Sequence, residues 1–359
     1  MKYVSHFFRF ILMGVNIVVA VGFLVSAYSP YISPVCHPIW ACSGLLFPLL
    51  ALLNLLFVCV WLFVKRIYIF FPLLIFALGW NSLQTYFPIN IIPDEPAHTQ
   101  TLKILTYNTQ GIPFDKATRK SAILEYLAHC DADIICLQEF IPRGGITQEE
   151  INNAMSVYPY SKQTRLKSGN VLACFSRFPI VSESQIVYDS QYNGSVQYKL
   201  LYGNDTLSVI NNHLESNKLS IDDKKRYNDI IGFENEKQIK ENGTYLIHKL
   251  ADASAIRASQ VDSVAKIIQR EQNPYIIVCG DFNDSPISYA HRILSEGLTD
   301  AFAEAGNGFG FTYNQDRFYF RIDHLLIGSA FRVLQCQVDR SVNVSDHYPM
   351  WCLLGKSRE

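Results

Sequence analysis

The sequence predicts an α+β domain with two layers of sheet, preceded by a bundle of about three transmembrane helices. Three observations carry this. Residues 1–92 are almost entirely apolar and hold only four basic side chains, Lys2, Arg9, Lys65 and Arg66. From residue 102 onward, short β-rich runs alternate with stretches of helical periodicity, which favours mixed α and β layers. Finally, paired β-rich runs in the middle and at the end of the chain read as hairpins, which a purely parallel sheet would lack.

The apolar part is taken first. Residues 10–28 and 39–64 are uncharged and reach the roughly 20 residues needed to cross a bilayer. A third run, 67–80, is only 14 residues long and spans only if the more polar "NSLQTYFPI" extends it to 88; otherwise it is re-entrant. One cleavable signal segment cannot account for three runs. Lys2 and Arg9 precede the first run, and Lys65 and Arg66 lie between the second and third. The positive-inside rule therefore puts the N-terminus in the cytoplasm, and three crossings put the rest outside the cytoplasmic membrane. None of the apolar cores carries a charge, so the segments read as an anchor for the bilayer and not as an ion path. Cys36 and Cys42 lie at the predicted outer loop, where they can pair.

Residues 93–101 read as a linker, and 102–359 as one domain. Its elements follow in order: a strand at 102–108, a helix over 116–130, a buried strand at 133–139, and strands in "NVLACFSRFPI", "VQYKLLYG" and "DTLSVINNHLES". An amphipathic helix spans 255–270, with Ile256, Val261, Val264, Ile267 and Ile268 apolar. Further strands are "YIIVCGD", "RIDHLLIG", "FRVLQCQV" and "YPMWCLL". Cys136, Cys174, Cys279 and Cys352 sit in such strands and read as small buried hydrophobes. Residues 217–247 are charged and long for a connection, so they form a surface excursion or a lid. The domain holds 27 basic and 31 acidic residues from 95 onward, without the basic stripe of a protein that depends on phosphate neutralisation.

Six predicted strands or their ends finish in polar residues: Asn108, Glu139, His213, Asp281 with Asn283, Asp323, and Asp346 with His347. One such end, "VCGDFNDSP", is explained by turn chemistry alone. Six in one domain point to side chains converging on one edge of the sheets. Carboxylates, amides and imidazoles without cysteine suit a hard divalent cation and phosphate chemistry.

The ordered motifs "LTYN", "LQE", the His of "VINNH", "GDFN", "RIDH" and "SDH" resemble the endonuclease/exonuclease/phosphatase superfamily over about 102–354. That resemblance implies a DNase I-like, four-layer α/β/β/α sandwich and a phosphoric ester hydrolase dependent on Mg²⁺, with Mn²⁺ a substitute. It implies Glu139 as principal metal ligand, Asn108 beside it on metal or phosphate, and Asp346 assisting the metal. Asp281 and Asn283 orient the attacking water and the phosphoryl oxygens. His347, oriented by Asp323, acts as base or as a charged clamp, and His213 faces the phosphate. The acidic partner that DNase-like members give the His213 position has no clear counterpart here. The substrate is a nucleic acid, a phospholipid headgroup or a small phosphoester; no protein partner is implied. The alternative is a non-catalytic membrane scaffold that keeps the fold. Arg257 and Gln260, one helical turn apart, are candidates for bracing the site. His324 is expected to pack on the opposite face of its strand, and His129, His248 and His291 to lie on the surface.

Overall fold

The computed structural model describes residues 2–91 and 101–357, apart from 116, 119, 191, 233, 234, 272, 316 and 317. Most of the expected linker at 93–101 lies outside the described residues.

The apolar N-terminal part folds into helices α1 (Lys2–Ala27), α2 (Pro38–Ala41), α3 (Phe47–Val64), α4 (Phe70–Leu78) and α5 (Trp80–Tyr86). His6–Ala27 and Pro38–Val64 are each long and apolar enough to span a membrane. The third run is broken: Arg66–Leu78 and Trp80–Tyr86 meet at 68°. It spans only if the bent pair is counted as one crossing. Phe23, Phe47 and Ile75 pack at the centre of the bundle, and two buried polar contacts tie it together. Trp61 Nε1 donates to Asn16 Oδ1 at 2.8 Å, and Asn54 Nδ2 to the Pro72 carbonyl at 3.0 Å. In a lipid-facing bundle such groups need internal partners. Cys36 and Cys42 are free thiols, so the pairing considered from the sequence is not formed.

The rest is a sandwich. The strands are β1 (Thr101–Asn108), β2 (Ile134–Gln138), β3 (Tyr160–Arg165), β4 (Val171–Ser176), β5 (Ile180–Ile186), β6 (Gly194–Tyr202) and β7 (Asp205–His213). Then come β8 (Ile276–Asp281), β9 (Thr299–Asp300), β10 (Tyr313–Gln315), β11 (Phe318–Phe320), β12 (Asp323–Ile327), β13 (Phe331–Val338) and β14 (Met350–Lys356). One sheet has the order β13-β14-β1-β2-β4-β3, the other β5-β6-β7-β8-β12-β9, and β10 and β11 form a short hairpin.

Among the described strand pairs, β1/β2 and β7/β8 run parallel, and a parallel pair requires a crossover. Helix α6 (Ala122–His129) supplies the first and, with α7 (Gln148–Ala154), covers the outer face of its sheet. Helices α8 (Ile221–Ile231) and α9 (Glu236–Arg270) supply the second, and α10 (Tyr289–Leu294) joins α9 in covering the other sheet. A short α11 (Ala301–Ala305) packs at the rim of the inter-sheet core. The expected helices at 116–130 and 255–270 thus begin at Ala122 and at Glu236.

Between the sheets, Ile104, Ile134, Val196, Val209, Ile277, Leu325 and Leu354 interdigitate. Cys136, Cys174, Cys279 and Cys352 are fully buried there, as small hydrophobes. Layers of helix, sheet, sheet and helix result: the four-layer DNase I-like sandwich.

The excursion at 217–247 is a helical hairpin. Along α9, Ala251, Ser254, Ala258, Val261, Val264 and Ile268 are buried at helical spacing. N-terminal to them only Asn242 and Leu246 are, so that end of a helix about 50 Å long pairs with α8 instead of the sheet. Ser220 and Asp223 form a capping box at the start of α8, and Lys249 Nζ reaches Asp223 Oδ2 at 2.5 Å. Burial works to raise the Asp223 carboxyl, but the hydrogen bonds from Lys249 and Ser220 outweigh it and lower it to about 2. A depressed carboxyl stabilises the fold above the unfolded value of about 3.9 and loses that contribution as pH falls through its folded value. Asp223→Asn is therefore expected to speed amide exchange across 221–231 severalfold at pH 7. The difference from the parent should shrink toward pH 2; equal exchange at pH 7 would contradict the link.

Candidate active site

The sheet register explains why distant residues meet. In one sheet His213 pairs with Asp281, and Asp281 with Asp323. In the other, Asn108 pairs with Gln138, immediately before Glu139. With side chains alternating along a strand, Asn108, His213, Asp281 and Asp323 all point between the sheets at one edge. Two backbone features permit the crowding. Gly280 has φ +123, and a Cβ there would lie 2.0 Å from the Asn212 carbonyl oxygen, so β8 approaches β7 as only glycine allows. Glu139 and Asn283 both sit in the left-handed region, at φ 52 and 53. That conformation is uncommon for residues other than glycine and clusters at functional sites.

The side chains form one network. Asn108 Nδ2 donates to Asp281 Oδ2 at 2.9 Å and lies 3.5 Å from Glu139 Oε1. His347 Nδ1 is 2.8 Å from Asp323 Oδ2, and its Nε2 is 3.8 Å from Asp281 Oδ2. His213 Nε2 lies 3.6 Å from Glu139 Oε1 and 3.8 Å from Asp281 Oδ2. The Asn283 backbone N–H donates to Asp281 Oδ1 at 2.8 Å, while its side-chain amide donates to the Leu214 carbonyl at 3.0 Å. Asp346 accepts from Gln110 Nε2 at 3.0 Å, at the partly exposed rim. All eight candidate residues are thus brought to one end of the sandwich.

Electrostatics divides them. Burial raises the Asp281 carboxyl, and despite opposition from His347 it stands at about 6. Burial also raises Glu139, with Asn108 opposing. Burial pulls His347 down, but Asp323 and Asp281 outweigh it and lift the imidazole to about 10, so it is a cation at neutral pH. Burial lowers His213, against the pull of Asp281, and keeps it neutral. Asn170 Nδ2 is 3.3 Å from His213 Nδ1. With the amide donating, Nδ1 is the acceptor and the ring proton sits on Nε2, aimed at Glu139 and Asp281. An amide thus fills the place where an acid was sought.

The donor set fits a hard divalent ion. Glu139, Asp281, Asp323 and Asp346 crowd together without a cysteine, and Asp323 Oδ1 is buried without a hydrogen-bond partner among the described residues. Ligand atoms of Asp281, Asp323 and His347 also lie within 4.8 Å of one another, but the His347 cation paired with Asp323 offers no lone pair to a metal, which leaves the ion to the carboxylates. Glu139 and Asp346 offer oxygens at the partly exposed rim, with the buried Asn108 amide beside Glu139, the oxygen chemistry preferred by Mg²⁺.

Sequence reasoning missed several supports. Gln138 Nε2 donates to Asn211 Oδ1 at 2.7 Å, and Asn211 Nδ2 to the Leu137 carbonyl at 3.0 Å, clipping the two sheets together below the site. Their inward position on predicted strands was the available signal. Arg257, by contrast, is where it was sought. It donates to Asp284 Oδ2 at 3.1 Å, to the Glu215 carbonyl and to Asn217 Oδ1, both at 2.9 Å, and Gln260 Oε1 accepts from the Glu215 N–H. His324 packs on the opposite face as expected, its Nε2 3.0 Å from the Asp284 carbonyl. His129 and His248 are exposed. His291 is a correction: it is buried and lies 2.9 Å from Asp300 Oδ2, because α10 turns that face onto the sheet.

Residues 105–347 match the model of the Endonuclease/Exonuclease/phosphatase family, and the chain belongs to that family. Enzymes of the family depend on a divalent metal. Residues 9–86 match a domain of unknown function, DUF8431. The inositol phosphosphingolipids phospholipase C of Schizosaccharomyces pombe is 29% identical over 211 residues, 55% of this chain. The match spans 45% of that relative's length. Among solved structures, a humanized D. rerio TDP2 aligns with TM-score 0.50 at 18% identity, over 71% of this chain and 99% of that one. A Bacteroides vulgatus endonuclease/exonuclease/phosphatase aligns with TM-score 0.50 at 13% identity, over 72% of this chain and all of that one. At such identities these structures bear on the fold alone.

Proposed function

We propose that the chain is a membrane-anchored, Mg²⁺-dependent hydrolase of phosphodiesters, with a lipid headgroup as the favoured substrate class. The observation that carries this is the convergence of Asn108, Glu139, His213, Asp281, Asp323 and His347 at one sheet edge, with the His347 imidazole held charged and the His213 imidazole held neutral. Separated titration of neighbouring groups is how acid and base roles are assigned at one pH. The similarity to a sphingolipid phospholipase C, the apolar helices and the absence of a basic stripe favour lipid over nucleic acid. Lys2 and Arg9 at the N-terminal end of α1, with Lys65 and Arg66 between α3 and α4, favour a cytoplasmic N-terminus. A third crossing then puts the sandwich, residues 102–359, on the outer side of the cytoplasmic membrane.

Mg²⁺ held by Glu139, with Asn108 and Asp346 nearby, would supply charge neutralisation at the phosphoryl oxygens. The chain's own groups account for the rest. Asp281, with a carboxyl near 6, is deprotonated at neutral pH yet basic enough to take a proton from the attacking water. Its geometry is fixed by the Asn108 amide on one oxygen and the Asn283 N–H on the other. His347, charged and anchored by Asp323, holds the phosphoryl group against Asp281. His213 donates a hydrogen bond from Nε2–H to a second phosphoryl oxygen, and Asn283 orients the water through the Asp281 carboxylate that its N–H holds. The P–O bond opposite the attacking water breaks, and the leaving alkoxide takes its proton from solvent.

The test is hydrolysis by the full-length protein in detergent, with Mg²⁺ or with EDTA. The substrates are bis(p-nitrophenyl) phosphate, sphingomyelin and phosphatidylinositol vesicles, and plasmid DNA. Release from the diester and one lipid, abolished by EDTA, is expected. Glu139→Gln should raise the Mg²⁺ concentration for half-activity by about tenfold or more. Cleavage of DNA alone would overturn the lipid assignment, and EDTA-resistant activity would overturn the metal role.

A further inference from the structure

The bundle and the candidate site meet at the same end of the sandwich. The loop that follows Asp281 carries Ile287, which is 2% exposed and packs in the core of the bundle with Phe23, Phe47 and Ile75. Gly44, just before α3, lies so close to this loop that a Cβ would stand 2.2 Å from the Ile287 carbonyl oxygen. Five residues further on, Arg292 Nε donates to the Pro30 carbonyl at 2.8 Å and its guanidinium lies over the Tyr31 ring.

A second seam is built before β12. Arg321, two residues ahead of Asp323 and buried, bonds the Thr85 carbonyl at the end of α5 and the Phe309 carbonyl, the latter at 3.0 Å. Asn90 donates to the carbonyls of Ala303 and Gly306 at 3.0 and 2.8 Å, and Phe87 packs edge-on against Phe309 with ring centres 4.7 Å apart.

Each seam has one contact close to a proposed catalytic group, Ile287 after Asp281 and Arg321 before Asp323. Six residues separate Asp281 from Ile287, so even a fully extended chain spans only about 20 Å between them. A tether would leave the domain free to swing and reach any substrate. Two seams of buried apolar, cation–π and charge-assisted contacts fix it instead. The mouth of the site is lined by Glu139, Asn170, His213, Tyr192 and Lys218, a mixture of an aromatic ring, a cation and the site's own groups.

Resting on the hydrolase reading above, we propose that the bundle is a docking platform. It holds the site against the surface of the bilayer in which the protein is embedded, and the substrate is a phosphodiester lipid of that same leaflet, cleaved in cis. Asn90, Ile287, Arg292 and Arg321 act as positioning residues.

The full chain, reconstituted in phosphatidylcholine vesicles carrying sphingomyelin or phosphatidylinositol, would be assayed on lipid in its own vesicles, on lipid in added protein-free vesicles, and on soluble bis(p-nitrophenyl) phosphate. The parent should cleave its own lipid at least tenfold faster than lipid in the added vesicles. Asn90→Ala combined with Arg292→Ala should lose about tenfold on own-vesicle lipid while keeping the soluble rate within twofold. Equal own-vesicle rates for parent and variant, faster cleavage of added vesicles, or cleavage of the soluble diester alone would each overturn docking in cis. If the parent cleaves none of the three, the hydrolase reading fails, and cleavage in cis fails with it. The docking itself is then decided by amide exchange in nanodiscs. Slow exchange at 284–292 and 306–312, accelerated in the double variant, would support the platform; equal exchange would refute it.

Discussion

Asp281→Ala should reduce kcat on a soluble phosphodiester by about 10³-fold, within the 10²–10⁴ expected for a positioned general base. That corresponds to about 4 kcal/mol of transition-state stabilisation. The side chain is the hub of the site, accepting from Asn108 and from the Asn283 N–H and facing both imidazoles. The parent's kcat should rise with pH through about 6, as burial-raised Asp281 loses its proton, and the variant should lose that limb. A fall of less than tenfold, or an unchanged acidic limb in the variant, would take Asp281 out of the base role. Folding is monitored by circular dichroism; removing a buried carboxyl between two imidazoles is expected to leave the sheets intact.

The second large effect falls on Asp323. It bonds His347 at 2.8 Å and is fully buried. Breaking a buried ion pair by removing one partner leaves an uncompensated charge, at a cost of about 3–5 kcal/mol. His347 escapes part of that cost by shedding its proton. Asp323→Asn should therefore lower Tm at pH 7 and reduce kcat by about 10²–10³-fold, as the cationic clamp becomes neutral. The sign follows from His347. Its folded value, about 10, stands above the unfolded value near 6.5. The stabilisation is full below pH 6.5 and fades as pH rises through 10. Parental Tm should fall between pH 7 and 10, and the variant should show a flatter dependence. If the variant keeps both the parental slope and the alkaline limb of kcat, the pair does not control the charge on His347.

Much of this site is legible in the strand ends, because alternation and register are local. "VINNH" and "VCGD" end on matching positions of a parallel pair, and "RIDH" begins opposite. The buried fate of "DIICLQ" and "VLACFS" follows from composition in the same way. What the sequence does not reveal depends on contacts between distant elements. Asn170 lies in a polar turn, and only the stacking of the β4 sheet on the β7 sheet brings it to His213. The burial of His291 depends on how α10 is rotated, which one short helix does not disclose. The bend after Gly79 and the pairing of α8 with α9 are likewise set by tertiary packing.

The amide clip between Gln138 and Asn211 has its own consequence. The proposed metal-holding groups Asn108 and Glu139 belong to one sheet, whereas His213, Asp281 and Asp323 belong to the other. The proposed reaction centre is therefore a seam between two halves of the fold, and its width is the inter-sheet distance. Any loosening that parts the layers by an ångström would separate the proposed ion-holding groups from the proposed base before a single strand unravels. In such a molecule, heat should silence turnover ahead of the loss of secondary structure.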